Sequence, residues 1–138
     1  MSVARLHEQL CFALYSASSR LTSIYRLLLE PLDLTYTQFV VLMALWEEDG
    51  ISISQLATKT GLSKATMTPL LKRLEKKQLI ERQMLEGNER QKHIVLTEIG
   101  RELSYQSGDI AQNAFCTTGL SSEEASELML LCKKITDG

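Results

Sequence analysis

Cys11, Cys116 and Cys132 are the three cysteines of this 138-residue chain. Their wide spacing fits neither a metal-binding cluster nor a disulfide framework. A cysteine that does chemistry acts as its thiolate. Phenol donors stabilise that anion and the charge developing on a departing oxygen. Oxidation leaves a sulfenic acid, which condenses with a second thiol. Cys11 has Tyr15 one helical turn later on the same face, and Phe12, Phe39 and Trp46 are candidate walls for an apolar oxidant. On the residues alone, a small core thiol among packed aromatics is the favoured account. Cys132 reads as packing in the last helix. There are two histidines: His7 precedes Cys11 by one turn and is a candidate modifier of its ionisation, and His93 reads as a strand residue. No general-base constellation, phosphate-binding loop or metal-ligand spacing accompanies them, so neither an enzyme nor a cofactor or metal is expected.

A second chemistry is electrostatic. The 15 Lys and Arg against 17 Asp and Glu give a net charge of −2. Between residues 63 and 93, however, eight basic side chains face four acidic ones, so that stretch carries +4 and the remainder −6. A polyanion responds to local charge and not to the sum.

These residues need a scaffold. Over 3–29, Leu6, Leu10, Leu14, Ala17, Leu21, Ile24 and Leu28 recur every three or four positions, which predicts one long helix with an apolar face, stopped near Pro31. Thr35 or Thr37 caps the next helix, through Phe39, Leu42 and Trp46, and Asp49-Gly50 marks a turn. Ser52 or Ser54 opens a short helix that Gly61 ends in a left-handed conformation. Ser63 caps a helix over 64–77, with Ala65, Leu70, Leu71 and Leu74 inward and a kink expected at Pro69. Two short helices around a glycine turn make a helix-turn-helix. The period then changes: 79–84 and 91–96 predict two strands joined by a turn at Gly87-Asn88, which forms a wing. Thr97 caps a helix ended by Gly119, and Ser121 or Ser122 caps the last one, whose apolar side runs from Leu128 to Ile135.

The fold class is therefore mainly α with a small β-wing, in one domain over 1–138. A winged helix-turn-helix occupies 34–97, and the helices over 3–30 and 98–136 form a dimerisation region. Their apolar faces exceed what a chain this size buries alone, so a homodimer is expected. No apolar run approaches the ~20 residues a bilayer span needs, and the mixed pattern at the start lacks a secretory signal. A cytoplasmic location with no membrane partner follows as the expectation.

The second helix of such a unit presents its first turns to the major groove. Those positions are Ser63, Lys64, Ala65, Thr66, Met67 and Thr68. Lys64 suits a guanine edge or a phosphate, and Thr66 and Thr68 suit phosphate or a thymine methyl. Lys72, Arg73, Lys76 and Lys77 are placed to hold the DNA backbone, and Arg90 and Lys92 to extend the contact through the wing. The expected partner is double-stranded DNA with a near-palindromic operator.

The order of these elements, with Thr68-Pro69-Leu70-Leu71-Lys72-Arg73-Leu74, Asn88-Glu89-Arg90 and Leu96-Thr97-Glu98-Ile99-Gly100, resembles the MarR family of winged-helix regulators over nearly the whole chain. Gln9-Leu10-Cys11-Phe12-Ala13-Leu14-Tyr15-Ser16 and Leu32-Asp33-Leu34-Thr35-Tyr36-Thr37-Gln38-Phe39 look like its organic-hydroperoxide-sensing repressors. The resemblance departs at Thr37, where many members carry Pro, and in Thr60-Gly61-Leu62-Ser63-Lys64. It implies that Cys11 reacts with an organic hydroperoxide and that Tyr25 and Tyr36 hydrogen-bond to it in the reduced, DNA-binding state. It also implies, in the two-cysteine branch, a disulfide from Cys11 to Cys116 of the other subunit. Two further readings stay open: a regulator of this family released by a reversible small aromatic ligand, and a small thiol peroxidase in which Cys11 turns over.

Overall fold

The computed structural model describes residues 2–84 and 92–138. The turn of the wing, with Gly87, Asn88 and the expected DNA contact Arg90, lies outside the described residues. The centre of the fold is α2 (Tyr36–Glu47), whose Phe39, Val41, Leu42, Ala44 and Leu45 are all buried, together with Gln38. A helix with so little polar face has to be enclosed. It is touched by α1 (Leu10–Leu29), α3 (Ile53–Thr60), α4 (Lys64–Lys76), α6 (Ser104–Thr118) and β3 (Lys92–Leu96). Thr35 closes its N-terminus in a capping box: its hydroxyl accepts from the Gln38 amide, and Gln38 Oε1 accepts from the Thr35 amide.

The helix-turn-helix forms as its caps require. Ser52 makes a second capping box with Gln55 at the start of α3, and Gly61 follows at φ 75°. That left-handed conformation carries a steric cost for any residue with a Cβ. Ser63 then caps α4. The inner stripe of α4 is Met67, Leu70, Leu71 and Leu74, all buried, at the spacing that keeps side chains on one face. Ala65, expected inward, is exposed, and Met67, expected in the groove, is in the core. Pro69 lies on the exposed side of an unbroken helix; what it removes is the donor for the Ala65 carbonyl.

The wing strands are β2 (Ile80–Met84) and β3, paired antiparallel with Ile80 opposite Leu96. A third strand, β1 (Ile51–Ser52), adds to the far edge of β3 with Ile51 opposite Ile94. Two residues are too few to carry an alternation, so the pairing leaves no trace in the sequence pattern.

The helix foreseen after Thr97 is two helices, α5 (Glu98–Glu102) and α6, broken at Leu103. Gly108 sits inside α6 without interrupting it. α5 is anchored hard against the wing root. Thr97 Oγ1 donates to the Gln78 carbonyl at 2.7 Å, and the Trp46 indole N–H donates to the Gly100 carbonyl at 2.9 Å. The close approach at Gly100 leaves no room for a Cβ, which would overlap the Leu79 carbonyl oxygen. Asp49 joins the same region, accepting from the Gly50 and Leu96 amides and from Arg101.

α1 starts at Leu10 and not near residue 3; a single 3-10 turn, Leu6–Glu8, precedes it, and Gln9 is extended. Residues 2–8 are exposed, and a turn with no buried face has little to propagate it. Within one chain α1 buries only Ile24 and Leu29, and α7 (Ser122–Asp137) buries nothing. Leu10, Leu21, Leu128, Met129, Leu131 and Ile135 stand exposed. No single helix among the described residues is long and apolar enough to cross a membrane.

The two internal glycines predict opposite outcomes. Gly100→Ala forces backbone to shift and should destabilise by about 1–3 kcal/mol. Gly108→Ala, with open space around it, should stabilise by about 0.5–1 kcal/mol. Urea unfolding at one fixed protein concentration measures both; equal stability of the two variants would contradict the close approach at Leu79.

Candidate functional site

The basic surface grows from α4. Lys64, Thr66, Thr68, Lys72, Arg73 and Lys76 are all exposed, because the stripe from Met67 to Leu74 turns the opposite face inward. The hydroxyls are not equivalent. Ser63 donates to Thr66 Oγ1 at 3.0 Å while accepting the Thr66 amide, and Thr68 donates to the Lys64 carbonyl at 3.0 Å. That leaves the Thr66 hydroxyl proton free for an outside acceptor. Ser63 is thus committed to its cap.

Beside the end of α4, Lys72, Glu75, Lys76, Arg82 and Lys92 line an open cleft of about 480 Å³. Arg82 is the residue that sequence reading counted only as charge. Its Nε lies 3.1 Å from Glu75 Oε2, an ion pair whose alignment falls short of a hydrogen bond, and Nε and Nη2 are buried without an acceptor among the described residues. A buried guanidinium nitrogen without an acceptor is costly, and the Glu75 carboxylate is the charge that faces it among the described residues. The faint alternation of Ile80-Glu81-Arg82 was the available signal. Lys77, grouped by sequence with the backbone-holding cations, is turned elsewhere: its ammonium donates to the Asp33 carbonyl and to Gln38 Oε1.

The thiol residues divide between the two ends of α1. Cys11 is in its first turn and exposed, with Tyr15 exposed one turn on. Only Phe12, edge-on to His7 at 6.4 Å between ring centres, remains as an aromatic neighbour in sequence. Phe39 and Trp46 meet edge-to-face at 5.8 Å, and Phe39 is fully enclosed within its own chain. Tyr25 and Tyr36 do come together, with ring centres 5.1 Å apart and Phe39 at 5.8 Å from Tyr25. Tyr25 follows Cys11 by 14 positions on one continuous helix, which at 1.5 Å per residue separates them by about 21 Å. Within one chain, therefore, the phenols and the thiol cannot touch.

Cys116 is exposed on α6, where Gln112 Nε2 donates to its sulfur at 3.5 Å, and Cys132 is half-buried on α7. All three thiols are free. His93 Nδ1 lies 2.9 Å from the Gly50 carbonyl at the root of the wing. Among the described residues no set of three His, Cys, Asp or Glu is arranged to hold a metal.

Burial, then the neighbouring Tyr36, raises the Tyr25 pKa above the ordinary value of 10.0. The fold thus favours the neutral phenol. The stability this contributes is complete below the unfolded pKa and is lost as pH climbs through the folded one. In an alkaline titration of phenolate absorbance, Tyr25→Phe should remove the last phenol to ionise. Loss of an early-ionising phenol instead would contradict the buried position.

The MarR family profile matches residues 34–92, from the loop before α2 to the start of β3. The HTH-type transcriptional regulator TtmR of Methylorubrum extorquens is 39% identical over 124 residues; the match covers 90% of this chain, which spans 64% of that protein's length. The organic hydroperoxide resistance transcriptional regulator of Bacillus subtilis is 37% identical over 127 residues, or 92% of this chain and 84% of that protein. Among solved structures, reduced AbfR bound to DNA gives a TM-score of 0.78 at 30% identity over 96% of this chain and 91% of that one. The disulfide-formed state of AbfR gives 0.64, also at 30% identity, over 96% and 88%. Bordetella bronchiseptica BpsR, whose DNA binding is regulated by 6-hydroxynicotinic acid, gives 0.90 at 26% identity over 99% of both chains. The winged helix-turn-helix, its flanking terminal helices and a regulator 37% identical over most of both lengths agree: the chain belongs to the MarR family.

Proposed function

We propose that the protein is a redox-responsive repressor, which as a homodimer holds operator DNA when reduced and releases it when an organic hydroperoxide oxidises Cys11. The observation that carries this reading is the separation of Cys11 from the Tyr25–Tyr36 pair along α1. A two-fold axis that crosses two copies of α1 antiparallel brings each Cys11 to the other chain's tyrosines, and one operation completes both sites. The apolar faces of α1 and α7 left uncovered in one chain supply the surface for that pairing.

In the reduced dimer the two α4 helices stand one duplex turn apart, about 34–36 Å. Lys64 and Thr66 meet base edges, Lys72, Arg73, Lys76 and Lys92 meet phosphates, and Arg90 extends the wing contact. The Cys11 thiolate attacks the hydroperoxide: one sulfur–oxygen bond forms, the peroxide bond breaks, and the alcohol leaves with a proton. The resulting sulfenic acid condenses with Cys116 of the other subunit to give a disulfide and water. Phenols that bonded a thiolate no longer have the same acceptor, and the two recognition helices lose their spacing.

A reversible small-ligand effector is the second reading. The likeness to BpsR supports it, as does a mainly apolar pocket of about 300 Å³ between α1, the end of α6 and α7, with Arg20 in its lining.

Cys11→Ser separates the two readings. In a gel shift on the duplex upstream of the protein's own gene, the variant should bind normally and ignore cumene hydroperoxide; unchanged release sinks the thiol sensor. Cys116→Ser should abolish the covalent dimer on a non-reducing gel, and a persisting one removes that pairing. Arg73→Ala should weaken binding to any sequence and reduce the slope of log affinity against log salt by about 1.8, one phosphate for each subunit; an unaltered slope takes Arg73 off the phosphates.

A further inference from the structure

Lys77 stands apart from the DNA-facing surface. Its ammonium is the only cation of α4 and its cap turned away from the basic face among the described residues, and its acceptors all lie on the segment that enters α2. They are the Asp33 carbonyl, Gln38 Oε1 at 3.0 Å and the Asp33 carboxylate at 3.8 Å. Gln38 is itself buried, and the same Oε1 accepts from the Thr35 amide at 3.2 Å to close the capping box of α2. Tyr36 is the first residue of that helix, between the two halves of the box, and its ring rests on Tyr25. One oxygen atom thus joins the aromatic pair's helix end to the C-cap of the recognition helix.

The backbone on each side of this link is held in an uncommon state. Asp33 has φ 54° and Gln78, next to Lys77, has φ 63°. A left-handed conformation at a residue with a Cβ is strained and persists where surrounding bonds over-determine it. Gln78 is pinned through its carbonyl by Thr97 Oγ1, and Asp33 through its amide by the Glu30 carbonyl. Each end of the link thus carries a further bond of its own to a neighbouring segment.

We propose that Lys77 is a positioning residue which, through Gln38 and Asp33, couples the state of the Tyr25–Tyr36 pair to the placement of α4. The inference rests on the thiol-switch reading for its natural signal, whereas the link itself is a property of the fold. Lys77 then acts on DNA binding without touching DNA.

The test compares wild type, Lys77→Met, which keeps the apolar stem and loses the ammonium, and Lys77→Arg. Anisotropy of a labelled duplex from upstream of the protein's own gene is read before and after cumene hydroperoxide. Reduced Lys77→Met should bind within about threefold of wild type with the same salt slope, while the loss of affinity on oxidation shrinks by about tenfold. Lys77→Arg should restore most of that loss. A second arm needs no oxidant: the duplex should slow amide hydrogen exchange over residues 36–39 in wild type and not in Lys77→Met. Release as complete as wild type, with unchanged duplex-dependent protection, overturns the proposal. So does weak binding by the reduced variant with a salt slope lowered by about 1.8, one phosphate for each subunit, which makes Lys77 a phosphate contact. If cumene hydroperoxide leaves wild type on the duplex, the thiol-switch reading fails, and the exchange arm alone decides the Lys77 link.

Discussion

The rigidity of α1 sets the terms for the rest of the molecule. Twenty residues in one continuous helix keep Cys11 and Tyr25 at opposite ends, and no side chain spans the resulting ~21 Å. A thiol site that needs both residues is therefore incomplete in one chain. The same helix buries only two of its side chains against its own chain, so the surface that must meet a partner is the surface that carries the thiol. Assembly and chemistry share one constraint.

The DNA-facing half obeys a different one. α4 has to bury Met67, Leu70, Leu71 and Leu74 against α2 and the wing, and that demand turns Lys64, Thr66, Lys72, Arg73 and Lys76 outward as a set. The cations need no individual steering. Arg82 is the exception, since a strand places it under the cleft with two buried nitrogens short of acceptors among the described residues. Its attraction to Glu75 holds it there against a desolvation cost.

Between the two halves lies α2, enclosed on nearly every side. Its N-terminus bears Tyr36 and the capping box; its C-terminal half bears Trp46, bonded to the Gly100 carbonyl of α5. The N-terminus of this buried rod thus meets both α1, through Tyr36 and Tyr25, and the cap of α4, through Gln38 and Lys77, while its C-terminal half meets α5. Small shifts at such a packed junction favour discrete rearrangement over gradual bending.

Much of this was legible in the residues. The caps at Ser63 and Thr97, the choice of Thr35 or Thr37, Ser52 or Ser54 and Ser121 or Ser122 at three other helix starts, the left-handed turn at Gly61, the helix end at Gly119 and the +4 stretch all follow from local side-chain chemistry, which a sequence displays directly. The pairing of Tyr25 with Tyr36 came through family likeness, since 11 positions and a helix break separate them. Other features escaped because they depend on what lies across space. β1 is too short to show a period. Met67 and Ala65 exchanged places because the stripe of α4 is set by α2. Phe39 and Trp46 pack on each other at the core, and Lys77 left the basic face for Gln38, 39 positions away. The sequence by itself determined which helices form and where charge accumulates, because those depend on neighbours three or four residues apart. Only the tertiary structure decided which side chains meet, and that within one chain the thiol and its phenols do not, because contact is a matter of distance in space and α1 is too stiff to close it.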